Sequence, residues 1–278
     1  PTPCWVSYPE MVKLNDGVPV LLKASEEEGF LVSAEKIESA ITDKTRAVII
    51  NTPSNPTGMI YSTDELQKIA KLCVEKNIYV ISDEIYEHLI YDGGKHVSIA
   101  SFGEDIKDLT IIINGVSKTY AMTGWRIGYT ASNAKIAKVM SNAQSHATSN
   151  PNSIAQKAAV AALNGSMGTV LAMRSEFEKR RTYMVNRINT FDGVSCLMPK
   201  GAFYVMMNIS ELIGKSINGK KIEGSNSFAE IFLDEALVSV VPCSDFDSDI
   251  HVRWSYATSM ENCKEGLLRL KKFLNNEY

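Results

Sequence analysis

The chain of 278 residues carries 29 Lys+Arg against 32 Asp+Glu, a formal net charge of −3, with 45% hydrophobic and 22% charged residues. That length suits one large α/β domain or a large domain with a smaller companion, and the composition excludes disordered, collagen-like and disulfide-scaffold classes. A slightly acidic balance without a basic stripe lacks the electrostatic footprint that a phosphate backbone requires, so nucleic acid is not an expected partner.

Short apolar runs alternate with longer segments of helical period, the pattern of βα units around a mainly parallel sheet. Residues 46–51 read as a strand that stops at Asn51-Thr52-Pro53-Ser54-Asn55-Pro56-Thr57-Gly58, a cluster of turn formers. A helix is predicted from Thr63, with Ser62 and Glu65 at capping-box spacing and Leu66, Ile69, Ala70, Cys73 and Val74 on one face. Strands follow at 78–82, ending at Asp83-Glu84, at 109–114, ending at Gly115-Val116-Ser117-Lys118, and at 127–131. Residues 133–164 are helical in pattern, and a long charged helix over 169–189 has neither Pro nor Gly inside it, which suits a bridge between domains. Beyond it come short strands (202–207, 237–241, 252–256) and a last helix with Cys263, Leu267, Leu270 and Leu274 in register. The sequence therefore divides into a large domain over 1–168, a connecting helix over 169–190 and a small α+β domain over 191–278. Residues 208–227, with three glycines, read as a surface excursion.

The apolar runs fall far short of the roughly 20 residues that cross a bilayer, and no signal peptide opens the chain. The five cysteines stand too far apart for a zinc spacing or a disulfide framework. A cytoplasmic protein with reduced thiols, and no membrane partner, is expected. Nucleotide motifs fail: there is no G-x-G-x-x-G, and Ile209 stands where a P-loop ending in Gly214-Lys215-Ser216 would need its first glycine. Four scattered histidines without H-E-x-x-H give a metal site little support.

Ligands of open parallel sheets bind beyond the carboxyl ends of the strands. The residues found there are Asn55, Asp83, Tyr86, Ser117, Lys118 and, eight positions after Lys118, Arg126. They comprise a carboxamide, a carboxylate, a phenol, a hydroxyl, an amine and a guanidinium. An amine nucleophile beside a phosphate clamp is what a Schiff-base cofactor needs.

Five segments in order carry a resemblance: 3–8 (Pro-Cys-Trp-Val-Ser-Tyr), 51–58, 82–86 (Ser-Asp-Glu-Ile-Tyr), 117–129 from Ser117-Lys118 to Thr123-Gly124-Trp125-Arg126-Ile127-Gly128-Tyr129, and 252–257 (Val-Arg-Trp-Ser-Tyr-Ala). Over nearly its whole length the chain resembles the pyridoxal-phosphate (PLP) aminotransferases of fold type I, class I/II, near the aspartate aminotransferase branch. The resemblance implies an α/β fold, with the mainly parallel sheet of a PLP-transferase large domain plus a smaller C-terminal α+β domain. It implies amino-group transfer between an amino acid and a 2-oxo acid through a Schiff base on Lys118, in a homodimer. Lys118 would bind the cofactor aldehyde and act as the acid/base. Asp83 would face the pyridine nitrogen; Tyr86 and Asn55 the phenolic oxygen; Ser117 and Arg126 the phosphate; Trp5 the ring face. Arg253, with Asn55, would hold the substrate carboxylate. A cis bond is expected at Asn55–Pro56.

Relative to the family pattern the chain reads as truncated at its N-terminus, without a glycine-containing loop that donates to the phosphate, and Gly115 replaces a hydroxyl residue that some relatives carry. Two other readings share the key residues: a PLP-dependent lyase of the same fold, and the sensor domain of a transcription regulator.

Overall fold

The computed structural model describes residues 1–278. Contacts divide them into two units that are not contiguous in sequence: Pro1–Phe30, Ser54–Met59 and Ser175–Tyr278 form the first, and Leu31–Pro53 and Ile60–Arg174 the second. The amino-terminal thirty residues thus group with the carboxyl-terminal third. The turn at 54–59 groups with it too, although the strand before that turn belongs to the second unit.

In chain order the elements open with α1 (Ser7–Lys13), α2 (Ala34–Ala40), β1 (Ala47–Asn51), α3 (Thr63–Lys76) and β2 (Tyr79–Asp83). Next come α4 (Glu104–Leu109), β3 (Thr110–Gly115), β4 (Gly128–Ala131), α5 (Ala134–Ala147), α6 (Ser153–Asn164) and α7 (Gly168–Ile188). The remainder is β5 (Ser195–Cys196), β6 (Tyr204–Asn208), β7 (Ser216–Ile217), β8 (Lys220–Lys221), α8 (Ser225–Ala236), β9 (Val241–Pro242), β10 (His251–Ser255) and α9 (Met260–Leu274).

The second unit is built on a four-stranded sheet, β1-β2-β3-β4, parallel across its first three strands and antiparallel at β4. Helix α3 buries Leu66, Ile69, Ala70, Leu72 and Cys73, the predicted stripe with Leu72 added and Val74 left half-buried. Its start is capped as the sequence predicts, Ser62 Oγ accepting from the Glu65 amide at 3.1 Å. The Glu65 carboxylate does not complete a reciprocal box; it accepts instead from the Ala34 amide at 2.6 Å, where α2 begins. The predicted helical stretch 133–164 forms two helices, the second capped by Asn152 Oδ1. No residue of α5 is buried and all four of β4 are exposed.

The first unit holds an antiparallel sheet of order β5-β6-β10-β9, covered by the apolar faces of α8 and α9. Phe228, Phe232 and Phe273 meet there with ring centroids 5.0–5.7 Å apart. Two sequence expectations are corrected. Residues 237–241 are not a strand: α8 continues to Ala236 because Phe228, Ile231, Phe232 and Ala236 bury at helical spacing, and Leu237 stops it in the left-handed conformation (φ 55°), leaving only Val241–Pro242 to pair. Nor is 208–227 a simple surface excursion, since Ile209, Leu212, Ile217 and Ile222 anchor it as buried side chains around the β7–β8 hairpin. All five cysteines are free, four of them buried, and no helix is long and apolar enough to cross a membrane.

Candidate active site

In the second unit, the register of β1 on β2 sets Asn51 level with Asp83 at the carboxyl ends of both strands. The Asp83 carbonyl accepts from the Asn51 side-chain amide at 3.0 Å and from the Thr52 amide at 3.2 Å, which ties the two strand ends together. The Asp83 side chain is 8% exposed, and its Oδ1 accepts from the Ile85 amide at 3.1 Å. Tyr86, three residues on, is buried in the turn that leaves β2. Lys118 lies in the turn beyond β3, and its Nζ is 5.9 Å from the centroid of the Tyr86 ring. That turn is closed by Tyr120 N–H on Val116 O, Ala121 N–H on Lys118 O and Met122 N–H on Ser117 O. Buried Val116 roots it among Ile127, Ala155 and Ala159. Arg126 ends a short 3₁₀ turn in the left-handed conformation (φ 56°); it is exposed, with Nη1 donating to Thr123 O at 2.7 Å. Ser117 is half-buried.

Behind Asp83 lies a network that sequence reasoning does not reach. Glu84 is 3% exposed and accepts from Ser82 Oγ at 2.9 Å, Ser98 Oγ at 2.7 Å and His96 Nε2 at 2.8 Å. Burial pushes its carboxyl upward, but the donors from His96, Ser98 and Ser82 outweigh burial and hold it below the usual carboxylate range. The only signal in the sequence is its place next to Asp83; the partners follow 12 and 14 residues later in a loop without motif.

In the first unit, Asn55 lies in a buried turn whose Asn55–Pro56 bond is cis, as expected; Thr2–Pro3 there and Thr52–Pro53 in the second unit are cis as well, which the sequence does not announce. Arg253, on β10, donates Nη1 to Asn55 Oδ1 at 2.6 Å. Its guanidinium lies 4.3 Å from the Tyr204 ring centroid and 5.0 Å from that of Phe246, and its Nε is buried with no hydrogen-bond partner. A stacked guanidinium with an unfilled buried donor is prepared for an anion. Trp5 is 39% exposed and meets Tyr8 edge-on at 5.4 Å.

The second unit thus presents, at one end of one sheet, an amine, a phenol, a buried carboxylate, a hydroxyl and a guanidinium, the donor set of a PLP-binding α/β enzyme. Residues 1–270 match the family described as aminotransferase class I and II, and the chain belongs to that family. It is 47% identical over 274 residues to the aspartate aminotransferase of Bacillus sp. (strain YM-2), a match covering 99% of this chain and 69% of that protein. Among solved structures it is similar to the aspartate aminotransferase from Rhizobium meliloti (TM-score 0.95, 40% identity, 99% of this chain and 70% of that one). It is also similar to an aromatic aminotransferase from Pyrococcus horikoshii OT3 (TM-score 0.91, 40% identity, 100% and 72%). The protein is a PLP-dependent aminotransferase, and these relatives favour amino-group transfer over the lyase and regulator readings. The residues present fit the cofactor: Lys118 and Asp83 supply an amine and a buried carboxylate beside a buried phenol, on turns fixed by backbone hydrogen bonds.

Proposed function

We propose that this aminotransferase exchanges an amino group between aspartate, or a related amino acid, and a 2-oxo acid, with Lys118 as its anchoring amine and acid/base. PLP, when bound, supplies an aldehyde for covalent attachment of amines and a ring that withdraws electrons from the substrate α-carbon. Lys118 Nζ would hold the cofactor through that aldehyde and would carry the proton to and from the substrate α-carbon. Buried Asp83 would hold a proton on the ring nitrogen, since a carboxylate in a low-dielectric setting strongly favours a cationic neighbour. Tyr86 and Asn55 would donate to the phenolic oxygen, Ser117 and Arg126 would hold the phosphate, and Trp5 would cover the ring. Arg253, steadied by Asn55, takes the substrate carboxylate as a charge-assisted pair.

One observation carries this reading: Lys118 Nζ lies 5.9 Å from the Tyr86 ring, in the unit whose β2 ends at buried Asp83. Lys118→Ala tests it. Transamination should fall by at least ~10²–10⁴-fold and the visible absorbance of the loaded protein should disappear; retention of either overturns the assignment. Comparing kcat/KM for aspartate and tyrosine tests the donor, and a preference for tyrosine would replace aspartate with an aromatic substrate.

The working form is a cytoplasmic homodimer. Exposed Val139, Met140, Ile154, Val160 and Leu163 on α5 and α6 support self-association, and the free cysteines suit a reducing compartment. Sedimentation equilibrium at micromolar concentration should report a dimer mass; a monomer rejects this.

A further inference from the structure

We propose that Arg181 is a positioning residue for carboxylate recognition. It acts through the 199–201 loop and the 54–58 turn on the Asn55–Arg253 pair. The inference rests on the reading of Arg253 as the carboxylate handle.

Arg181 lies on α7 and is 2% exposed. Burying a guanidinium is costly unless its charge and donors are matched, and here Arg181 Nη2 lies 3.9 Å from Glu178 Oε1. Its Nη1 donates to the Pro199 carbonyl at 2.9 Å. A proline has no N–H, so this carbonyl is the one backbone polar group by which Pro199 can be held. The next two amides point the other way: Lys200 N–H and Gly201 N–H both donate to Gly58 O, at 2.9 and 2.8 Å.

Gly58 packs closely against this loop. Its φ is +68°, and a Cβ built there would lie 2.5 Å from Pro199 Cβ and 2.8 Å from Gly201 O. Only a glycine leaves room there for the Pro199 ring and the Gly201 carbonyl. From Gly58 the turn closes on itself, Gly58 N–H donating to Ser54 O at 2.8 Å and Ser54 N–H to Met59 O at 2.9 Å. Asn55 lies inside that turn, and its Oδ1 meets Arg253 Nη1 at 2.6 Å. A continuous path of hydrogen bonds and covalent links therefore runs from the Arg181 guanidinium to the Arg253 guanidinium. Loss of the first link frees Pro199, and with it the wall against which Gly58 fixes the orientation of Asn55.

The test compares Arg181→Met, Arg181→Lys, Asn55→Ala and Arg253→Ala in the PLP-loaded enzyme. The readouts are KM and kcat for the amino donor, the dissociation constant of maleate as an unreactive dicarboxylate, and Tm. Arg181→Met should raise KM and the maleate constant about tenfold, the scale of one charge-assisted hydrogen bond, with kcat within about twofold. Arg181→Lys, which keeps a charged donor, should restore most of the loss. In the Asn55→Ala background, Arg181→Met should add little, because both act along one path. A lower Tm with unchanged KM and maleate binding, or effects of Arg181→Met and Asn55→Ala that simply multiply, overturns the proposal while leaving Arg253 as the handle. If Arg253→Ala itself binds maleate normally, the handle reading fails instead. Should Arg181→Met not fold, Arg181→Gln carries the same comparison.

Discussion

Arg253 Nη1 donates to Asn55 Oδ1 at 2.6 Å across 198 residues of sequence. The bond fixes which way the carboxamide faces, with its oxygen toward the guanidinium. A neutral amide orients the charge of Arg253 without cancelling it. Asn55→Asp would place a carboxylate on the same atoms and turn the pair into a salt bridge. A substrate carboxylate would then compete with an internal one, so KM for the amino donor should rise about tenfold or more. Steady-state kinetics at several donor concentrations would show it, and an unchanged KM would mean that Arg253 does not meet the substrate carboxylate.

Glu84 gives a prediction about acid stability. Its carboxylate serves three donors, which an amide oxygen cannot all accept, so Glu84→Gln should cost about 1–3 kcal/mol near neutral pH. The sign with pH follows from the folded carboxyl lying below its ordinary value of 4.5. The contribution is fully present above the unfolded value and is lost as pH falls through the folded one. Tm measured from neutral pH into the acid limb should therefore fall less steeply in Glu84→Gln than in the parent. Parallel curves would show that the carboxylate is not ionised in the fold.

Gly115 is set by its neighbour across the sheet. It pairs with Gly128, and a Cβ at 115 would lie 2.9 Å from Ile127 O and 3.0 Å from Gly128 Cα, both backbone atoms that cannot rotate away. Gly115→Ala should lower stability by about 1–3 kcal/mol, the usual scale for overpacking. Since β3 leads into the Lys118 turn, it should also weaken cofactor retention, read as loss of visible absorbance on dialysis. A Gly115→Ala protein as stable as the parent would show that β4 can move aside.

What the sequence discloses of this molecule follows from the range of the interactions. Strands β1 to β3 are legible because apolar runs end in polar residues, and the structure moves their bounds by about one residue. Ser62 is legible as a cap because a cap reaches only three residues ahead. The fate of Glu65 is not, since its partner Ala34 lies 31 residues back. The residues proposed for the site stand in local motifs, Asp83 with Tyr86 and Ser117 with Lys118, and the sequence alone can propose them. It cannot propose what holds them: Glu84 waits on a loop 12 to 14 residues later, and Arg181 reaches Pro199 beyond the end of its helix. For the same reason no composition shift marks 54–59 as part of the unit built on β6 and β10; backbone bonds to 200–201 and the Arg253–Asn55 bond tie it there.

His251 supplies the last prediction, because its strand also carries Arg253 two residues on, and side chains at i and i+2 share a face. The ring is 2% exposed. Its Nε2 faces Glu26 Oε2 at 3.3 Å, its Nδ1 faces Ser248 Oγ at 2.8 Å, and the ring of Phe30 meets it edge-on at 5.4 Å. Glu26 Oε2 also accepts from Asn208 Nδ2 at 2.6 Å, so the carboxylate is shared. Burial lowers the imidazole below its ordinary 6.5, and the Glu26 hydrogen bond and charge only partly oppose this. The folded state therefore holds a neutral ring, with Nε2 donating to Glu26 and Nδ1 accepting from Ser248. As pH falls below about 6.5 the unfolded chain takes up a proton that the folded chain refuses, so stability declines until the folded value is passed and then levels off. Glu26→Gln removes the group that supports the cation and should lower the folded value further, extending that decline to lower pH. His251→Gln should abolish it. Thermal unfolding between pH 5 and 8 in the three proteins separates these outcomes, and an unaltered slope in His251→Gln would assign the decline to another group.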